Sequence, residues 1–91
     1  MRYNFKSSFD RSFKKLSLQK QELVLSAINK LKVFYDDRKL FPGLGLKNLR
    51  KHFWEIRITL KDRLLFSLQG DTTSFILVGS HDDIRRFFKK N

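Results

Sequence analysis

The chain has no cysteine, one proline, four glycines and few acidic residues in a length of 91. Without thiols it cannot be a disulfide-stapled scaffold, a thiolate zinc module or a cysteine-nucleophile enzyme. Only His52 and His81 remain as strong soft ligands, so no metal site and no other cofactor is expected. No apolar run approaches the ~20 residues that span a bilayer, so no membrane partner is expected. The stretch MRYNFKSSFD meets charge too early for a signal peptide, which points to the cytoplasm. The motifs GxGxxG, HExxH and GxSxG and the Walker phosphate loop are all missing. Gly43-Leu44-Gly45 is too short to cradle a phosphate and reads as a relaxed piece of backbone.

What is present is aromatic and basic. Hydrophobic residues make up 41% of the chain and include ten phenylalanines, enough for the core of a single domain over residues 1–91. Twenty Lys plus Arg face nine Asp plus Glu, a formal net charge of +11. Such an excess attracts polyanions. The charges run from Arg2 to Lys90 without a block, so they belong to the fold and not to a tail.

The hydrophobic period changes once along the chain. Arg2 to Lys6 reads as a first strand, with Tyr3 and Phe5 on one face. Ser7 followed by Asp10 fits a capping box for a first helix carrying Phe9, Phe13 and Leu16. Ser17 caps a second helix whose stripe is Val24, Ile28, Leu31 and Tyr35, with Leu23, Ala27 and Phe34 beside it. The cluster Phe41-Pro42-Gly43-Leu44-Gly45 marks the switch to sheet. In 53–60, Trp54, Ile56, Ile58 and Leu60 alternate with Glu55, Arg57 and Thr59. A run ending Leu64-Leu65-Phe66-Ser67-Leu68, a turn at Gln69-Gly70-Asp71 and the apolar run Ser74–Val78 complete a meander. Ser80 and Asp83 form a second capping box and open a short helix with Ile84, Phe87 and Phe88 inward.

These elements predict an α+β fold of order β-α-α-β-β-β-α. A helical hairpin packs on one face of a small, mainly antiparallel twisted sheet, and a short helix ends the chain. A three-residue turn at Lys61-Asp62-Arg63 pairs Leu60 with Leu64, Ile58 with Phe66 and Ile56 with Leu68, so every pair on the covered face is apolar. The opposite face, with Glu55, Arg57, Thr59, Ser67 and Gln69, is then expected to stay open, polar and basic. Lys47, Arg50, Lys51 and His52 lead into its first strand and add charge suited to phosphates. His81, in the first turn of the last helix beside Asp82 and Asp83, is a candidate general acid or base. For each residue the plain alternative is a solvated surface position.

The stretches GLGLKNL, FWEIRITLKDRLLFSL and FILVGSHDDIRRFFKK, in this order on ~90 basic residues, resemble the RelE/ParE superfamily, the toxins of type II toxin–antitoxin pairs. The resemblance implies a ribosome-dependent endoribonuclease that cuts mRNA through attack of the ribose 2′-hydroxyl without a metal. It implies catalytic roles for Arg57, Arg63 and His81, with His81 as acid or, in a swapped assignment, as base. Glu55 falls where some relatives carry a lysine and is either a base or a partner of Arg57. Phe87 and Phe88 occupy the segment where several relatives place a tyrosine; they can stack on an RNA base but cannot move a proton. The implied partners are a cognate antitoxin protein, the ribosome and mRNA. A ParE-like inhibitor of DNA gyrase without ribonuclease activity is the alternative, and a non-toxic RNA-binding relative is a third reading.

Overall fold

The computed structural model describes residues 1–37 and 44–90; Phe41, Pro42 and Gly43 of the expected helix-to-sheet switch lie outside them. The elements are β1 (Arg2–Phe5), α1 (Ser7–Lys14), α2 (Leu18–Asp37), β2 (Leu46–Arg50), β3 (Phe53–Arg57), β4 (Arg63–Gln69), β5 (Thr72–Gly79) and α3 (His81–Lys90). The sheet has the order β1-β5-β4-β3-β2. Its β1–β5 pair is parallel and the other pairs are antiparallel. This is the expected α+β arrangement with one strand added. Leu46–Arg50, read from the sequence as a basic lead-in, pairs with β3 as an edge strand. Its Leu-Lys-Asn-Leu-Arg pattern does not alternate, because a bulge between Asn48 and Arg50 interrupts the ladder.

The helices form for local reasons and dock for tertiary ones. The Oγ of Ser17 accepts the Lys20 N–H at 3.2 Å, which caps α2 as expected. No glycine or proline interrupts the helix, and its Val24, Ala27, Ile28 and Leu31 are buried. The capping box expected at Ser7 and Asp10 does not form. The N-cap is Lys6, and no side chain caps it. The cause is the direct passage from β1 into α1: the Lys6 N–H still serves the sheet, donating to the Phe75 carbonyl at 2.9 Å. Ser8 and Ser12 of α1 face β5 instead. Ser8 Oγ donates to the Ile76 carbonyl and Ser12 Oγ accepts the Val78 N–H at 3.0 Å. β1 pairs with β5 only through Phe75, so α1 satisfies backbone groups that the short edge strand leaves open.

The β3–β4 connection departs from the expected register. Ile56 pairs with Leu64, Trp54 with Phe66 and Arg57 with Arg63, which leaves residues 58–62 as the loop. Thr59 decides this. Its Oγ1 accepts the N–H groups of Lys61 and Asp62 and donates to Asp62 Oδ2 at 2.7 Å, while the Ile58 N–H donates to the Asp62 carbonyl at 2.9 Å. Relative to expectation β4 is slid four residues against β3, an even number, so the two faces keep their character. Leu60 alone is displaced. It sits in the loop, 87% exposed, and not on the covered face.

The main core joins Phe9, Val24, Ile28 and Leu31 to Ile56, Leu64, Phe66, Phe75 and Val78. The opposite face is not fully open, contrary to expectation. Leu65, Ile76 and Ile84 form a second buried cluster with Leu49, Phe53, Leu77, Phe87 and Phe88 against it. A bulge makes both cores possible. Phe66 pairs with Phe75 and Leu65 with Leu77, so Ile76 is the extra residue, and Phe75 and Val78 fall on the same face despite a spacing of three.

Candidate active site

The uncovered end of the α3 face gathers five of the ionisable residues singled out in the sequence. Glu55 and Arg57 project from β3, and Arg63 opens β4 as their cross-strand neighbour. Lys47 on β2 is the register partner of Glu55. His81 is the first residue of α3. The capping box expected there is present: Ser80 Oγ accepts the Asp83 N–H at 3.2 Å, and Asp83 Oδ2 accepts the Ser80 N–H at 2.8 Å. The Ser80 N–H, opposed by burial and helped by the Ser80 hydroxyl and Arg86, holds the Asp83 carboxyl below its usual value, and the reciprocal bonds fix the backbone that presents His81.

Arg63 is the hub. Its Nε lies 3.6 Å from Glu55 Oε2 and donates to His81 Nδ1 at 3.1 Å. Glu55 is 5% exposed, so its carboxylate depends on this guanidinium. Arg57 stands directly opposite Arg63 in the ladder, is exposed, and has no ion-pair partner among the described residues. Two like charges so placed repel each other. A cavity of about 510 Å³ lies beside them, lined by Gly45, Lys47, Glu55, Arg57 and Ile58. Gly45 has φ +73°, and a Cβ there would stand 3.1 Å from the Arg57 Cβ. Glycine therefore lets the approaching chain pass close to Arg57, and the Arg57 N–H donates to the Gly45 carbonyl at 3.3 Å. The arrangement can hold an anion between two guanidiniums, with a carboxylate and an imidazole on the same hub.

The other sequence candidates lie at the opposite end of the β2–β3 pair, about 13 Å away along the strand. Arg50 covers the Phe88 ring with its guanidinium, 4.5 Å from the ring centre. Lys51 takes the turn with φ +47°, supported by the Asn48 amide donating to the carbonyls of Lys51 and Phe53. His52 packs on the Phe53 ring. Phe87 and Phe88 are half-buried and meet Phe53 edge-on. Lys47 thus joins Glu55 and not Arg50, because the bulge and the added strand redistribute what the sequence shows as one basic run. No group of three His, Asp or Glu stands together among the described residues. No described helix is long and apolar enough to cross a membrane.

No family model matches the chain, and no curated protein matches it in sequence. Solved structures do match. A YoeB/ParE toxin from Agrobacterium tumefaciens aligns at TM-score 0.70 with 21% identity, over 89% of this chain and 99% of its own. A metal-bound toxin from Helicobacter pylori aligns at 0.71 with 18% identity, over 92% and 98%. The toxin–antitoxin complex RelB–RelE from Methanococcus jannaschii aligns at 0.68 with 17% identity, over 92% and 96%. The chain has the RelE/ParE toxin fold. In this chain the Arg63 hub sits where α3 begins beside the start of β4, and the sequence resemblance and the three-dimensional likeness agree on the architecture.

Proposed function

We propose that the protein is the toxin of a type II toxin–antitoxin pair and an endoribonuclease that cuts mRNA on the ribosome. The observation that supports this above others is the sharing of Arg63 between Glu55 and His81, with Arg57 opposite it across the ladder. A phosphodiester seated between the two guanidiniums relieves their repulsion, and each can engage two of its oxygens. Glu55 accepts the proton of the ribose 2′-hydroxyl as that oxygen attacks phosphorus. The bond from phosphorus to the 5′-oxygen breaks, and His81 gives that oxygen a proton. The products are a 2′,3′-cyclic phosphate and a 5′-hydroxyl, and no metal takes part.

Arg63 links binding to chemistry. While its Nε–H donates to His81 Nδ1, the imidazole carries its proton on Nε2 and is neutral. A phosphate that draws Arg63 towards itself frees Nδ1 to take a proton from solvent, and the imidazolium is then the acid. Each proton-transfer group is expected to contribute about 10²–10⁴-fold. Lys47 steadies Glu55 and adds charge, while Arg50, Lys51, His52, Phe87 and Phe88 offer a further RNA contact at the other end of the face. The M. jannaschii RelE is held in a complex with RelB; the partner proposed here is likewise an antitoxin, with an acidic segment that folds against this basic surface.

Inducing the native chain and Arg63→Gln in cells, with mapping of 5′-hydroxyl mRNA ends beside plasmid supercoiling, tests the reading. Codon-phased new ends are expected from the native chain alone. Intact mRNA with relaxed plasmid or gyrase-linked breaks would overturn it in favour of gyrase inhibition.

A further inference from the structure

A second concavity, about 750 Å³, lies between α1, α3 and the β3–β4 loop. Six cations line it: Arg11, Lys15 and Lys20 from the helical hairpin, Lys61 from the loop, and Arg86 and Lys90 from α3. The two acids on its wall are already engaged. Asp62 accepts from Thr59 and pairs with Lys20 at 3.0 Å. Asp83 holds Ser80 and pairs with Arg86. Arg11, Lys15, Lys61 and Lys90 are left without an ion-pair partner among the described residues. Arg11 and Lys15 stand four residues apart, as do Arg86 and Lys90, so each pair looks out from one side of its helix. Like charges at that spacing cost a few tenths of a kcal/mol. Their convergence from three separate elements on one trough brings no compensating ion pair among the described residues.

The trough is continuous with the Arg63 cluster. Gly79 and Ser80 line it, Gly79 is the register partner of Arg63, and His81 is the next residue along. The chain at 79–81 is therefore a shared wall, with the acid–base cluster on one side and unpaired cations on the other. A ligand that crosses this wall must carry charge repeatedly along its length, which describes a nucleic-acid strand.

We infer that the α1–α3 trough is a second phosphate-binding track, which carries the RNA strand onward from the phosphodiester held by Arg57 and Arg63. The inference rests on the ribonuclease reading of that cluster. It assigns Lys15, Lys61 and Lys90 to backbone phosphates next to the cut, where they fix the strand's path without reading its sequence. Lys20 and Arg86 keep their acidic partners and shape the walls.

Binding of 2′-O-methyl oligoribonucleotides, which lack the attacking hydroxyl, provides the test. Trimers and nonamers are titrated into the full chain by fluorescence anisotropy over a range of salt. The nonamer should bind about tenfold tighter, with a steeper salt dependence. The triple variant Lys15→Gln/Lys61→Gln/Lys90→Gln alters exposed positions, so its melting curve should match the native one. It should lose the nonamer advantage, with a slope lower by roughly 0.7 for each contact removed, and bind the trimer as before. Arg63→Gln should show the reverse, weakening the trimer most. A native chain that does not distinguish the two lengths, or a triple variant that keeps the advantage or weakens both oligomers equally, would overturn the track. So would polyglutamate that fills the trough and resists the nonamer, since the occupant would then be an acidic protein segment. Intact mRNA in cells together with length-dependent binding would remove the ribonuclease reading and leave the track standing.

Discussion

One face of the sheet places Ile56, Leu64, Phe66, Phe75 and Val78 under the helical hairpin, all apolar and all buried. The other face is divided. α3 covers Leu65 and Ile76 with Ile84, and beyond its first residue the same face carries Lys47, Glu55, Arg57 and Arg63. The hairpin face does the work of a core, while the divided face needs only enough apolar cover to seat a helix. That helix then serves two ends at once: its body closes the second cluster and its first residue, His81, bonds to the charged end. A site built this way is rigid without being in the main core, because its hub residue hangs from the end of a strand whose next three residues are fully buried.

The contrast can be broken most severely from the hairpin side. Phe66→Ala should cost about 3–5 kcal/mol, a large part of the stability of a small domain, and denaturant unfolding should show it. Activity would fall only with the folded fraction. Next in size is the hub. Arg63→Gln should reduce RNA cleavage at least about 100-fold and also destabilise by roughly 3 kcal/mol, since it leaves the Glu55 carboxylate buried without its guanidinium. The double variant Glu55→Gln/Arg63→Gln should recover most of that stability and none of the cleavage, which separates the two roles of one residue. If cleavage returned with stability, the cluster would be structural.

The smallest effect compares the loop docked on the hairpin with the start of α3. The Thr59 hydroxyl, aided by the Lys20 ammonium and opposed by burial, holds the Asp62 carboxyl below its usual value of 3.8. The Ser80 backbone N–H does the same for Asp83. Both groups bind protons less readily in the folded chain than in the unfolded one. Their contribution is complete above the unfolded value and is lost as pH falls through the lower folded values. Stability measured from pH 6 downward should therefore decline below about pH 4, and Asp62→Asn should flatten part of that decline.

Much of the fold is legible because its signals are local. A helix stripe, a serine three residues before an acceptor, and Gly70 with φ +59° at the β4–β5 turn each depend on a few neighbouring residues. The same holds for Arg57, which alternation places on the polar face, and for His81 in its capping turn; Arg63 comes from the family resemblance, since the expected register leaves it in the turn and only the observed pairing sets it opposite Arg57. Two features mislead for the same reason. Ser7 and Asp10 satisfy the spacing of a capping box, but the backbone just before them is still engaged with β5. Leu60 continues the alternation of β3, but the Thr59–Asp62 hydrogen bonds have already turned the chain. The groove between α1 and α3 left a trace in Arg11/Lys15 and Arg86/Lys90 at helical spacing, yet nothing local tells that the two helices flank one strand.

The sequence by itself determined most of the residues that face apolar surroundings, where α2 and α3 begin and which ionisable groups share a side, because period and capping are properties of the backbone over a few residues. The tertiary structure alone decided the two bulges and the meeting of Glu55, Arg63 and His81, while the Thr59–Asp62 turn set a register that the hydrophobic alternation does not reveal. A slide by an even number of residues leaves every face unchanged, so the hydrophobic pattern cannot choose among registers. An extra residue such as Ile76 reverses the faces beyond it only once a partner strand is in place. Glu55 depends on Arg63 only once β3 and β4 have paired and brought the two side chains together.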